Sequence, residues 1–127
     1  MIKDFLIINF IGKNESIGLK INNNFFVKKF QTNIKNNDLL VRNILEFIEK
    51  NKANIDKNFS IIVNLGPGSF SGIRVSLAIA KGIKIAKGSK IYGYKNSFLN
   101  DFNLKNIEFL INENLLENKL IKPLYLS

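Results

Sequence analysis

A chain of 127 residues, 46% hydrophobic and without cysteine or histidine, has room for one core but excludes disulfide frameworks, thiolate chemistry, Ser-His-Asp catalysis and zinc or nuclease sites that need an imidazole. The formal net charge of +9 invites an acidic partner such as RNA. Its cations are nearly all lysines scattered through an Asn-, Ile-, Lys- and Phe-rich chain, as in a genome drifted toward A and T, and they read first as a solvated surface. No early basic-then-apolar leader with a cleavage site is present and no apolar run reaches membrane-spanning length, so the chain is expected to be soluble and cytoplasmic.

Phe5 to Phe10 (FLIINF) reads as a buried strand followed by a turn at Ile11 to Glu15. Ser16 to Ile21 (SIGLKI) is a second strand, Asn22 to Asn24 a turn, and Phe25 to Phe30 (FFVKKF) a third, which together make an antiparallel meander. A polar stretch, Gln31 to Asn37, leads to Asp38, a suitable N-cap. The helix from there to Lys52 is amphipathic, with Leu40, Val41, Ile44, Leu45, Phe47 and Ile48 on one broad face and Arg42, Asn43, Glu46, Glu49 and Lys50 opposite. A right-handed crossover returns the chain to Ser60 to Leu65, apolar and β-branched enough for a parallel strand covered on both faces.

Gly66, Pro67 and Gly68 make the turn that follows, and Ser69 or Ser71 offers a cap for a helix running to Lys87. At about 100° per residue, Gly72, Ser76 and Ala80 form one stripe of small residues and Ala78, Gly82 and Ala86 another. Only Arg74, Lys81, Lys84 and Lys87 interrupt this apolar circumference, so the helix needs cover on more than one side. Its own sheet is one cover; the other is a neighbouring helix or a second chain, and a tightly packed core helix fits the pattern as well as a docking helix does. Lys90 to Tyr94 (KIYGY) is the fifth strand, after Gly88 has closed the helix. The pattern βββαβαβ is that of the ribonuclease H-like or actin-like half-fold, an α/β mixed sheet in the order 3-2-1-4-5. Beyond it, Ser97 to Phe102 reads as a short helix, Ile107 to Ile111 as a strand, Asn114 to Leu120 as a helical turn, and Ile121 to Leu126 as an extended segment that Pro123 confines to an edge or terminal position.

Gly66 to Ser97 (GPGSFSGIRVSLAIAKGIKIAKGSKIYGYKNS) resembles the TsaB family, also called YeaZ, whose hallmark is a strand, G-P-G-S-F-T-G-L/V-R and a helix carrying A-K-G. Gly66, Pro67, Gly68, Ser69, Phe70, Gly72, Arg74, Ala80, Lys81 and Gly82 match it, with Ser71 for the usual threonine. The resemblance implies a non-catalytic member of the actin-like ATPase superfamily that supports threonylcarbamoyladenosine formation next to the anticodon of tRNA. It would do so by binding a paralogue, TsaD, through a bundle of the helices Asp38 to Lys52 and Ser69 to Lys87. No cofactor is then expected on this chain; ATP, metal and threonylcarbamoyl-adenylate belong to TsaD. A TsaE-like ATPase is a further candidate partner, and tRNA is reached through the complex.

On that reading the interface draws on Leu40, Ile44 and Phe47 of the first helix and on Ser69, Phe70, Gly72, Ile73, Arg74, Ser76, Leu77, Ala80, Lys81 and Ile83 of the second. Arg74 or Lys81 bonds across it, and Gly66, Pro67 and Gly68 have a structural role. Ser76→Phe is expected to spare the fold and abolish co-purification with TsaD. Where the family opens with Asp-Thr-Ser after its first strand, this chain has Asn9-Phe10-Ile11, which leaves no carboxylate for a metal, and independent nucleotide hydrolysis is not expected. Residues 1–96 are taken as the actin-like domain and 97–127 as a reduced remnant of a second one with a family-like tail. The alternative is a stand-alone nucleotide- or phosphate-binding protein using Gly66 to Ser71 as a cradle at a helix N-terminus, although the turn lacks Walker spacing and Lys81 lies well down the helix. A peptidase, from the family's likeness to proteins once labelled glycoproteases, has no visible machinery here.

Overall fold

Strand β1 (Phe5–Asn9) lies at the centre of a five-stranded mixed sheet, between an antiparallel meander on one side and parallel strands on the other. The computed structural model describes residues 2–10, 15–30, 37–118 and 125–126, without the side chains of 37–40, 68–71 and 125–126. The expected turn at 11–14, most of the link at 31–36 and the start of the extended tail at 121–124 lie outside the described residues. Strands β2 (Ser16–Ile21) and β3 (Asn24–Lys29) pair with Ile21 opposite Asn24, so the hairpin loop is only Asn22 and Asn23. Both adopt positive φ, 49° and 69°, as a loop matched to the right-handed twist of its strands requires. Asn24 is therefore the first residue of β3 and not the last of the turn.

Parallel to β1 runs β4 (Ser60–Asn64), in register from Phe5 opposite Ser60 to Ile8 opposite Val63, and β6 (Lys90–Tyr94) runs parallel to β4. The order β3-β2-β1-β4-β6 is the expected 3-2-1-4-5, because the intervening two-residue strand β5 (Gly68–Ser69) belongs to a separate pair with β7 (Tyr125–Leu126). Helices α1 (Asn37–Lys50) and α2 (Phe70–Lys87) are the two crossovers. Strand alternation sends Leu6, Ile8, Ile61 and Val63 to the face that these helices cover; Phe5, Ile7 and Ile62 point the other way.

The helix ends correct the reading of the sequence in small but instructive ways. Asp38 lies inside the first turn of α1 rather than capping it. The C-terminus comes two residues before Lys52, which takes a left-handed φ of 56°. Lys52 N–H donates to Glu49 O and Ala53 N–H to Ile48 O, a closure that satisfies the last carbonyls and turns the chain away. Gly88 ends α2 as expected, with φ 75° and its N–H donating to Lys84 O.

The larger corrections fall after residue 96. A single 3-10 turn, Asn96–Phe98, replaces the helix expected to Phe102. Ile107 to Ile111, expected as a strand, lies within helix α3 (Leu104–Asn112), whose N-cap Asn103 accepts the Asn106 N–H at 2.9 Å. The spacing of Leu104, Ile107, Leu110 and Ile111 is helical, and the fully buried Ile107 and Leu110 seat α3 on the second face of the sheet beside Phe5, Ile7, Ile62 and Tyr94. Burying two such side chains is worth about 1.5–3 kcal/mol each. The expected helical turn at Asn114 to Leu120 is instead a left-handed Asn114 followed by a chain that pairs Glu117 with Gly93 through two 2.8 Å hydrogen bonds. That pairing meets the outer edge of β6 at Gly93, while residues 119 and 120 lie outside the described part. Leu99, Ile107 and Leu110, with Phe102, Leu104, Ile111, Leu115 and Leu116 packed against them, thus form a second layer over the sheet. Among the described residues no helix is long and apolar enough to cross a membrane.

Candidate functional site

The two small-residue stripes of α2 have opposite fates. Ser76 is 1% exposed, Ala80 is fully buried, and the Ser76 hydroxyl donates to Gly72 O at 2.8 Å; this stripe packs on the chain's own sheet. Ser76 is thus not on an open surface, and a phenylalanine there would overfill the core rather than block a partner. Along the other stripe Ala78, Gly82 and Ala86 are exposed. A Cβ placed on Gly82 would meet nothing within 4 Å.

This open strip forms one wall of an apolar groove of about 670 Å³ between α1 and α2. Val41, Leu45 and Ile48 line the α1 side, Ala78, Ile79, Gly82, Ile83 and Ala86 the α2 side, and Ala53 and Ile55 the end, with Glu49 and Lys87 at the rim. Val41 is 36% exposed and Leu45 53% exposed. Spacings of four and three residues along α1 place them on one line with Ile48, while Ile44 and Phe47 turn inward to the core. The face read from sequence as one broad apolar surface is therefore divided between core and groove. Ile85, 86% exposed, lies just outside the groove on α2.

Of the residues expected at an interface, Ile44, Phe47, Ile73, Ser76, Leu77 and Ala80 are in the core. Gly72 and Ile83 are half-buried, with Ile83 in the groove, and Arg74 and Lys81 are exposed. The side chains of Leu40, Ser69 and Phe70 lie outside the described set. Leu45, Ala78, Gly82 and Ala86 line the groove but were not among the residues expected at an interface, although the second small-residue stripe already singled out the last three.

The Gly66-Pro67-Gly68 turn is held by amides. Asn64 Nδ2 donates to Asn9 Oδ1 and Asn96 Oδ1, both at 2.9 Å. Asn64 Oδ1 accepts Gly66 N–H at 2.9 Å, and Asn96 N–H donates to Gly66 O at 2.8 Å. Three asparagines thereby tie the carboxyl ends of β1, β4 and β6 to the turn that launches α2. The Gly66 N–H is committed to Asn64, which counts against its use in a phosphate cradle. Beneath this network the Tyr94 hydroxyl is buried with no partner in hydrogen-bonding geometry. Burial pushes its pKa up, an effect that the neighbouring Asn64 side chain only partly offsets.

A second cleft of about 720 Å³, at the opposite end of the parallel strands, is polar and lined by Lys3, Lys52 and Lys90 together with Asp4 and Asp56. Its two carboxylates accept the backbone N–H groups of Asn22 and Asn58, so the cleft mixes both signs of charge. The apolar groove is the feature that water solvates poorly, and it is the better candidate site.

No family model matches the chain. Over 42 residues it is 43% identical to the tRNA threonylcarbamoyladenosine biosynthesis protein TsaB of Buchnera aphidicola subsp. Baizongia pistaciae (strain Bp), a match covering 33% of this chain and 19% of that protein. Among solved structures it is similar to YeaZ from Pseudomonas aeruginosa, with a TM-score of 0.64 and 14% identity over 74% of this chain and 44% of YeaZ. A second structure, described as similar to peptidase YeaZ from Pseudomonas aeruginosa, gives a TM-score of 0.62 at the same identity and coverage. At such identity the structural likeness is one of fold, and the matched part spans less than half the length of these relatives.

Proposed function

The sequence match and the fold together support a TsaB/YeaZ family protein, and from that premise we propose that the chain is a non-catalytic subunit that binds a TsaD-like paralogue in the synthesis of threonylcarbamoyladenosine on tRNA. The observation that carries this reading is the open Ala78-Gly82-Ala86 strip with Val41 and Leu45 across from it. It runs along adjacent α1 and α2, the two helices that the family resemblance assigns to the heterodimer. Eight residues of helix give the strip a length of about 12 Å, enough to seat two turns of a third helix in the groove of the pair.

In this role the chain contributes shape and apolar area rather than chemistry. ATP, the metal and the threonylcarbamoyl-adenylate reside on the paralogue, tRNA is reached through the complex, and a TsaE-like ATPase is a further partner of the assembly. The asparagine network serves the same end, because fixing the Gly66 turn fixes where α2 begins and how its outer face is presented.

Co-expression with the TsaD-like paralogue of the same cell tests the reading. Gly82→Trp, which fills the groove from an unobstructed position, should leave a folded chain that no longer co-purifies. Retention of the complex by folded Gly82→Trp rules out docking through this groove.

A further inference from the structure

The lysines are scattered along the chain, but the fold gathers many of them at one end. Helices α1 and α2 return the chain to the starts of β4 and β6, so their C-termini lie at the amino ends of the parallel strands. Lys50 and Lys52 from the end of α1, Lys84 and Lys87 from the last turn of α2, Lys3 ahead of β1 and Lys90 at the start of β6 meet there, all of them exposed. Basic residues in a last turn complement the helix dipole, which accounts for Lys50, Lys84 and Lys87. It does not account for Lys3 and Lys90, which stand at strand ends and, with Lys52, line the polar cleft of about 720 Å³. Among the described residues none of these lysines is ion-paired; the ion pair found at this end joins Lys20 to Glu108. Asp4 and Asp56 of the cleft already accept the N–H groups of Asn22 and Asn58.

We propose that this cleft is a direct contact of the chain with RNA, in which Lys3, Lys52 and Lys90 bind the phosphates of the backbone. A concave trough rimmed by cations follows a polyanionic strand, and lysine, a flexible point charge, suits phosphate contacts that position a nucleic acid without reading its sequence. The side chains of Asn22, Asn54 and Asn58, which also line the trough, bring amide donors and acceptors to sugar and phosphate. A flat bilayer fits the site less well, because the large apolar residues Ile21 and Phe59 that line it are buried and offer no anchor to a membrane. That the RNA is a tRNA rests on the role proposed above; the cationic trough does not. Asn54 lines both this cleft and the apolar groove, so a strand held here would run beside whatever fills the groove.

The test is fluorescence anisotropy of a labelled, unmodified tRNA transcript titrated with the purified full chain over a range of salt. The cleft variant combines Lys3→Gln, Lys90→Gln and Lys52→Asn, the last because asparagine tolerates a left-handed φ. A control removes the same charge elsewhere, with Lys29→Gln, Lys95→Gln and Lys105→Gln. All six positions are exposed, and thermal melts of both variants should match the parent. The cleft variant should bind about tenfold more weakly at low salt, and its plot of log affinity against log salt should be flatter by about one for each lysine that touches a phosphate. The control should stay close to the parent. An equal loss in the two variants would show a diffuse cationic surface and overturn the proposal, as would a parent chain that fails to bind tRNA at low salt. Flotation with anionic phosphatidylserine vesicles that the cleft variant loses, while it binds tRNA like the parent, would assign the lysines to a lipid surface and overturn it too. Co-purification with the TsaD-like paralogue should be unchanged in the cleft variant, which separates the two readings. If folded Gly82→Trp keeps the complex, the docking role fails while a loss of RNA binding confined to the cleft variant still supports the trough. If Gly82→Trp breaks the complex and the cleft variant binds tRNA like the parent, the docking role stands and the trough is refuted.

Discussion

Replacing Gly82 by alanine should move stability and binding in opposite directions. A glycine in the interior of a helix costs about 1 kcal/mol relative to alanine, and the new methyl group would meet no atom of the chain within 4 Å. The full propensity gain should therefore appear in the free protein, a rise in melting temperature of about 4 °C for a domain of this size. The same methyl stands on the floor of the groove between Ala78 and Ala86, where a docked helix would have to retreat or repack around it. Overfilling a packed interface by one carbon costs about 1–3 kcal/mol, or about 5- to 150-fold in the dissociation constant. Differential scanning calorimetry of the isolated chain and titration calorimetry with the TsaD-like paralogue give the two numbers separately. A lower melting temperature would mean that Gly82 is packed within its own chain. A higher one with unchanged affinity would mean that the partner binds elsewhere.

Three further expectations concern the fold that presents the groove. A Cβ on Gly93 would overlap Cγ and Cδ1 of the buried Leu65, so Gly93→Ala should cost about 1–3 kcal/mol in urea unfolding, and Leu65→Ala should cost less in that background than alone. Tyr94→Phe removes a buried hydroxyl without a partner and should leave stability unchanged or raise it by about 1 kcal/mol; a clear loss in the same assay would reveal a hydrogen bond to Asn64. Burial holds the Glu15 carboxyl above its ordinary pKa, so its native form takes up a proton more readily than the unfolded chain. Its stabilising contribution is present below the ordinary carboxylate pKa and is lost as pH rises through the raised value. Glu15→Gln should therefore be more stable than the parent at neutral pH and lose that advantage in acid, as read from denaturation midpoints at the two pH values.

What was legible in the sequence was local and periodic. Ser16 to Ile21 and Lys90 to Tyr94 appear as strands with the expected bounds, and α2 ends at Lys87 before Gly88 as its composition indicates. The misreadings came where a short apolar run fits two periods. Ile107, Phe109 and Ile111 alternate like a strand, yet Leu104, Ile107, Leu110 and Ile111 recur like a helix; the Asn103 cap and the uncovered face of the sheet decide for the helix. Glu117 belongs to no local pattern at all, because its place is set by the free edge of β6, more than twenty residues earlier in the chain.

The sequence by itself determined the central strands, the glycine turn and the fact that α2 must be covered on more than one side, because these follow from hydrophobic period and backbone freedom within a few consecutive residues. Only the tertiary structure decided which side the chain covers for itself. Ser76 and Ala80 are as small as Ala78 and Gly82, and a helical wheel cannot tell the two stripes apart. The distinction comes from where β1 and β4 place Leu6, Ile8, Ile61 and Val63 beneath the helix, for a side chain becomes core or surface through its distant neighbours and not through its spacing along the chain.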